Sequence, residues 1–389
     1  MIQNFEFYNP TRLIFGREKI ETLGKYLLSG SKIMLLYGKG SIKKNGIYDK
    51  VKLTLKSFDH IEFGGIEPNP VYETLMKAVE LARKEKVDFL LPVGGGSVID
   101  GAKFIAAAIP FEGSDPWTIV SEKAPVKSAV PFGTILTLPA TGSEMNSGAV
   151  ITRNSTKEKF AFGSVHTFPK FSILDISVLN SLPKNQIANG IADAFIHTTE
   201  QYMTYPINAQ LQDRMAESIL KTLISEGPKV LSDNTDEEAG ANFMYSATMA
   251  LNGIISMGVP TDWSIHIIGH ELTALYGIDH GRTLAILLPS LYKSKIGDKL
   301  AKLSQFAERV WNINDGDDKK KAFKAIEKTE EFFNSIGIST HLKDYGDNID
   351  LEFTVKEIIS RFKSRNIKGL GEKGIVTLAD IENILRDSW

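Results

Sequence analysis

The chain has 389 residues, enough for two or three ordinary domains and for a buried core without disulfides or a structural metal. Its 45 Lys and Arg against 47 Asp and Glu leave a net charge of -2, which argues against a nucleic-acid binder that works by neutralising phosphates. With no cysteine it can carry no disulfide framework, no thiolate-ligated zinc, no iron–sulfur cluster and no thiol nucleophile. Residues 1–13 lack the apolar core of a signal peptide. The uncharged stretch 239–261 is broken by Asn242, Asn252, Gly253 and Pro260, so it reads as a buried helix and turn and not as a membrane span. The expected setting is cytoplasmic, without a membrane or nucleic-acid partner.

Along the chain, 31–37 is a β-type apolar run that stops at Gly38. Residues 71–86 follow with helical spacing of Leu75, Val79 and Ala82. A second apolar run, 87–93, ends at Gly94-Gly95-Gly96 and leads into a candidate helix over 98–108. A third, 132–138, stops at Pro139. Strands alternating with helices predict a parallel sheet, and unbroken apolar strands predict helices on both of its faces. Ten of the 15 prolines precede residue 180, and beyond Pro183 the strand signals fade. There, 207–223, 299–311, 319–336 and 377–387 carry apolar residues at three- and four-residue spacing, with Gly253, Gly277 and Gly337 as helix stops. The expected architecture is an α/β domain over 1–182 followed by an all-helical domain over 183–389.

Four of the seven histidines fall between 197 and 280. Asp193 and His197 are four apart, as are His266 and His270, so each pair shares one helix face. His280 follows the turn at Gly277. One carboxylate with two or three imidazoles suits iron, zinc, nickel or cobalt better than magnesium or calcium. The same spacing also arises among ordinary buried histidines, and spacing alone leaves both readings open. Gly94-Gly95-Gly96-Ser97-Val98-Ile99-Asp100 joins a strand to a helix, where backbone amides and the helix dipole favour a phosphate. It could equally be a tight turn capped by Ser97, since no G-x-G-x-x-G follows the first strand. That strand ends in Gly38-Lys39-Gly40-Ser41, a cation without a carboxylate, which would admit a ribose 2′-phosphate or simply make a glycine turn. The loops Glu67-Pro68-Asn69-Pro70 and Thr137-Leu138-Pro139-Ala140-Thr141-Gly142-Ser143-Glu144 are either connections or site loops.

Together with Phe5-Glu6-Phe7-Tyr8-Asn9-Pro10-Thr11 and Phe15-Gly16, these motifs stand in the order seen in iron-containing (group III) alcohol dehydrogenases, which the chain resembles over nearly its whole length. The stretch Asp262-Trp263 through His266, His270, Glu271, Leu272 and Thr273 is most similar to the butanol dehydrogenase and NADPH-dependent aldehyde reductase branch. Asp279 departs from the Pro that many members carry before the last histidine, as the same branch does. The resemblance implies a dehydroquinate synthase-like fold, with an N-terminal Rossmann-like parallel sheet domain and a C-terminal helical metal-binding domain. It implies one divalent metal, Fe2+ or Zn2+, on Asp193, His197, His266 and His280. His270 then lines the site as a candidate proton relay. NADP(H) would be lined by Gly38, Gly40, Ser41, Asn69, Gly95, Gly96, Ser97, Asp100, Thr137, Leu138, Ser143 and Lys159. The implied reaction moves hydride between nicotinamide and a small aliphatic aldehyde or alcohol, in a homodimer. A dehydroquinate synthase-like or glycerol dehydrogenase-like enzyme is the rival on the same scaffold. The former's sugar-phosphate substrate calls for several basic residues near the metal, and 260–285 holds only Arg282. A nucleotide sensor or metal store would bind the same ligands without oxidising NADPH.

Overall fold

In the computed structural model, which describes all 389 residues, the three predicted strands are interior members of a six-stranded sheet. Its strands are β1 (Arg12–Gly16), β2 (Lys32–Tyr37), β3 (Asp59–Phe63), β4 (Phe89–Gly94), β5 (Gly133–Leu136) and β8 (Phe171–Asp175). Their numbering counts a separate antiparallel hairpin, β6 (Gly148–Arg153) and β7 (Glu158–Gly163). The sheet order is β1-β8-β5-β4-β2-β3 and every pair is parallel. All six residues of β4, and five of the six in β2, are buried, as expected of strands covered on both faces. The chain leaves β2 toward β3 but leaves β4 toward β5, so the winding reverses between β2 and β4. Such a reversal opens a crevice beyond the strands' carboxyl ends, where ligands bind in open α/β sheets.

The helices of this part are α1 (Ser41–Lys44), α2 (Ile47–Leu55), α3 (Tyr72–Glu85), α4 (Gly96–Ala108) and α5 (Thr118–Ser121). α4 is buried almost all round because the β6–β7 hairpin covers it. Val150 of β6 donates its amide to Asp100 of α4 at 2.9 Å, and Phe104 meets Phe162 of β7 edge-on at 6.2 Å.

The remaining helices are α6 (Lys184–Tyr202), α7 (Gln210–Ser232), α8 (Glu237–Ala250), α9 (Ser264–Tyr276), α10 (His280–Ser294), α11 (Ile296–Arg309), α12 (Asp318–Ser335), α13 (Leu351–Ser364) and α14 (Leu378–Asp387). Two short strands, β9 (Gly369–Leu370) and β10 (Val376–Thr377), pair antiparallel before α14. α6 is the core of the helical part and is buried continuously from Ile187 to Tyr202. Its Phe195 meets Phe306 of α11 and Phe332 and Phe333 of α12, with ring centroids between 5.4 and 6.4 Å.

The chain divides into two compact units, each interrupted in sequence. Tyr8–Pro183 and Asn234–Thr248 form the sheet unit; Met1–Phe7, Lys184–Asp233 and Met249–Trp389 form the helical unit. Most of α8 therefore belongs with the sheet. Thr248 donates its hydroxyl to the buried Glu144 carboxylate at 2.5 Å, and the Asn234 amide donates to the Leu179 carbonyl at 3.1 Å. No helix is long and apolar enough to cross a membrane.

Candidate metal centre and nucleotide-binding loops

In the helical unit, α6 turns Asp193 and His197 to one face, α9 supplies His266, and α10 begins at His280. Asp193 Oδ1 stands 3.6 Å from His197 Nδ1, 4.0 Å from His266 Nε2 and 3.8 Å from His280 Nε2. The donor atoms of Asp193, His266 and His280 all lie within 4.8 Å of one another. The His197 ring stacks on His266 at 4.6 Å between centroids. A tetrahedral ion with bonds of about 2.1 Å needs donors roughly 3.4 Å apart, so a small inward shift brings Asp193, His266 and His280 onto one cation. His197 stands outside that three-residue group and meets it through Asp193 Oδ1 and the His266 ring. The donor chemistry fits as well. Burial pulls the His197 imidazole down to about 4, against the pull of Asp193, and so keeps it in the neutral form that a metal requires.

The supports of these ligands are equally specific. Glu200, one turn beyond His197 on α6, bonds His266 Nδ1 and accepts the Ile265 amide at 2.7 Å. With Nδ1 engaged, Nε2 is the nitrogen that faces Asp193. Asp279, where the sequence departs from the common pattern, accepts from the Asn189 side-chain amide at 2.7 Å, and Arg282 donates back to Asn189 at 2.9 Å. α10 comes so close to α6 here that a Cβ on Gly281 would lie 2.4 Å from the Asn189 carbonyl oxygen. His270 is not in the donor cluster; its ring lies 5.1 Å from that of His280 and 6.4 Å from that of His266.

In the sheet unit, the predicted cofactor residues gather at the carboxyl ends of β2, β4 and β5. Gly38 lies against the Ile66 carbonyl and the Val98 side chain, and Thr137 donates its amide to the Gly94 carbonyl at 3.0 Å. Gly95 borders Leu138, and Gly96 opens α4 against Thr141, where a Cβ would meet the threonine hydroxyl at 2.4 Å. Asn69 donates its amide to Ser97 Oγ at 3.2 Å and accepts from Lys159 Nζ at 2.8 Å, so three distant predicted residues form one group. Gly40 and Ser41 stand apart from that group at the start of α1, with Ser41 exposed.

Asp100 and Ser143 are brought together, but with each other and with Lys103 as partners. Ser143 donates to Asp100 Oδ1 at 2.6 Å and accepts from Lys103 Nζ at 2.8 Å, while Asp100 Oδ2 takes the Val150 amide. Burial lowers the Lys103 ammonium to about 8 even with Asp100 and Glu144 nearby. This buried group ties the α4 loop to the 143–148 turn.

Sequence reasoning missed Glu200, although an acidic residue seven beyond Asp193 and three beyond His197 is on their helix face. It also missed Glu62, which lies on β3 beside the end of β2. Burial acts against ionisation there, but hydrogen bonds from Lys52 at 2.6 Å and Tyr48 at 2.9 Å hold its carboxyl below the ordinary value. Lys43 rests over the Tyr37 and Tyr48 rings, 4.8 Å from each centroid. The end of β2 thus presents a cation, while its nearby carboxylate is already engaged.

The switch point of the sheet and the histidine–aspartate cluster are features that a metal-dependent nicotinamide oxidoreductase requires. Residues 10–176 match the model of the family described as iron-containing alcohol dehydrogenase, and 187–386 match that of its C-terminal part. The chain belongs to the iron-containing alcohol dehydrogenase family. It is 50% identical over 379 residues to the NADPH-dependent aldehyde reductase YqhD of Escherichia coli K12, covering 97% of each chain. It is 43% identical over 376 residues to the probable NADH-dependent butanol dehydrogenase 1 of Bacillus subtilis, covering 94% of this chain and 97% of that one. A crystal structure of Escherichia coli K-12 YqhD matches with a TM-score of 0.97 at 48% identity, over 100% of this chain and 99% of that one.

Proposed function

We propose that this chain is an NADPH-dependent aldehyde reductase that also oxidises the corresponding small aliphatic alcohols, with one Fe2+ or Zn2+ held by Asp193, His197, His266 and His280. The observation that carries this reading is the convergence of three imidazole nitrogens on Asp193 Oδ1 at 3.6–4.0 Å. When bound, the metal supplies Lewis-acid stabilisation of charge on the carbonyl oxygen, and the nicotinamide supplies the hydride. The chain itself provides neutral imidazoles and a single carboxylate, which leaves the centre with net positive charge where an oxyanion develops. Glu200 and the Asn189–Asp279 pair hold His266 and His280 in place. His270 is the residue we assign to carry the proton, because its ring borders His280 at 5.1 Å and an imidazole is the side chain suited to proton transfer near neutrality.

The nucleotide role falls to 1–182 and the metal role to 183–389. The twelve residues from Gly38 to Lys159 are assigned to the cofactor site, with Asp100 and Ser143 acting through the shape of the segments they tie together. NADPH is favoured over NADH by the strand end Gly38-Lys39-Gly40-Ser41, by Lys43, and by the prior engagement of Glu62. We place the activity in the cytoplasm, as a reductase in a homodimer. The test is a panel of aldehydes with NADPH on metal-stripped protein, re-supplied with each divalent metal in turn and compared with alcohol oxidation near neutral pH. Metal-restored aldehyde reduction that exceeds oxidation in kcat/KM is expected. NADPH turnover indifferent to metal, or none with any aldehyde, would refute the assignment.

A further inference from the structure

Lys299 and Asp262 lie outside the ligand set, yet their bonds meet at the first turn of the helix that carries His266. Lys299, on α11, is 1% exposed. Its ammonium donates to Asp262 Oδ2 at 2.7 Å, to Glu372 Oε1 at 2.8 Å and to the Met203 carbonyl at 2.8 Å. These acceptors come from the loop before α9, from the segment between β9 and β10, and from the residue after α6. Asp262 uses its other oxygen, Oδ1, to accept the Ser264 amide at 2.8 Å, and its own amide donates to the Glu200 carbonyl at 2.9 Å. Between them Trp263 has φ +67°, a left-handed conformation that a bulky residue keeps only when its neighbours hold it there. The Trp263 ring stands edge-on to His266 at 5.3 Å, and His266 is bonded in turn to Glu200. The segment from 262 to 266 is therefore held at one end by Lys299 of α11, through the Asp262 carboxylate, and at the other by Glu200 of α6.

A buried ammonium is expensive to place, and an apolar side chain would fill the same space at lower cost. What the ammonium adds is direction, because it fixes the Asp262 carboxylate in the one orientation that also caps Ser264. We propose that Lys299 is a positioning residue for the metal centre: by holding Asp262 it maintains the Trp263 turn, and with it the direction from which His266 Nε2 faces Asp193. The proposal rests on the reading of Asp193, His197, His266 and His280 as metal ligands.

The test uses the full-length, metal-stripped protein with Co2+ as probe, measuring affinity by chelator competition and ligand geometry from the cobalt visible spectrum. Lys299→Met is expected to weaken Co2+ binding by about tenfold, the low end of the loss seen for a direct partner of a ligand because Lys299 acts through Asp262, and to alter the spectrum. Lys302→Met is the control. Lys302 is a buried lysine on the same helix whose bond, to Asp213 at 2.5 Å, does not reach α9. It should lose stability but keep wild-type cobalt affinity and spectrum. If Lys299→Met does not fold, Asp262→Asn keeps an acceptor for Ser264 while weakening the contact to the ammonium, and a loss in the same direction is expected. Wild-type affinity and spectrum in the folded variant, or an equal loss in Lys302→Met, overturns the proposal while leaving the ligand set intact. Failure of the wild-type protein to bind Co2+, or binding that survives Asp193→Ala, overturns the ligand reading and the proposal with it.

Discussion

Burial holds the His197 imidazole down to about 4, against the pull of Asp193 and with help from His266. In the unfolded chain the same ring titrates near its ordinary 6.5, so between those values the unfolded state binds more protons. The metal-free protein should have its full stability above pH 6.5 and lose up to about 3 kcal/mol as pH falls toward 4. Urea midpoints of metal-free wild type and His197→Asn across this range check it, with a flatter profile expected for the variant. At the proposed nucleotide end, Gly38 is the residue expected to decide cofactor choice. An aspartate there would repel the 2′-phosphate of NADPH, and a lost charge-assisted hydrogen bond is worth roughly 1.5–3 kcal/mol. Gly38→Asp should weaken NADPH binding at least about tenfold and narrow or reverse the preference over NADH. A Cβ at Gly38 already meets the Ile66 carbonyl at 3.3 Å, so Gly38→Ala separates crowding from charge in the same KM comparison. Helical spacing made the shared face of Asp193 and His197 legible, whereas the full proposed ligand set with His266 and His280 came only from the family resemblance. Lys299, Asp262 and Glu372 were not, since only the folded chain brings three such separated residues to one ammonium.

Helix against helix, the proposed metal centre depends on how closely α10 approaches α6. A Cβ at residue 281 would sit 2.4 Å from the Asn189 carbonyl oxygen, and a backbone atom cannot swing aside. Gly281→Ala should push the first turn of α10 outward, cost about 1–3 kcal/mol in urea denaturation, and displace His280 enough to lower metal occupancy. Full occupancy by elemental analysis in that variant would show that the contact relaxes elsewhere. Of the four interior strands, β2, β4 and β5 were readable because a strand buried on both faces tends to be a continuous apolar run, while the equally buried β8, Phe-Ser-Ile-Leu-Asp, is broken by Ser172 and was not. β3 was not, since Asp-His-Ile-Glu-Phe sits at an edge with no fully buried residue. The hairpin of β6 and β7 escaped for a different reason. Its charged turn, Asn154 to Lys157, joins strands whose buried face is supplied by α4, and nothing local announces that partner. Long helices fared better: 319–336 was expected and Asp318–Ser335 is found, started by Asp317 capping Lys320.

At the scale of the whole molecule, the proposed metal ligands belong to one unit and the proposed nucleotide loops to the other. Asp193→Ala or His280→Ala should therefore abolish bound metal and turnover while leaving NADPH binding, followed by fluorescence titration, within a few-fold of wild type. Loss of NADPH affinity in parallel with metal would show that the two ligands are energetically coupled. The units also interleave in sequence, and this bears on how the polypeptide is made. When residue 183 has been synthesised, the sheet unit still lacks the segment Asn234–Thr248. Glu144, fully buried in the finished protein, has no Thr248 hydroxyl to bond, and the Leu179 carbonyl has no Asn234. The 65 residues from 184 to 248 take roughly 3–13 s to add at ordinary rates of translation. For that interval the first unit waits on the ribosome with a hole in its surface, and part of the helical unit, α7 included, must emerge before the sheet that precedes it can close.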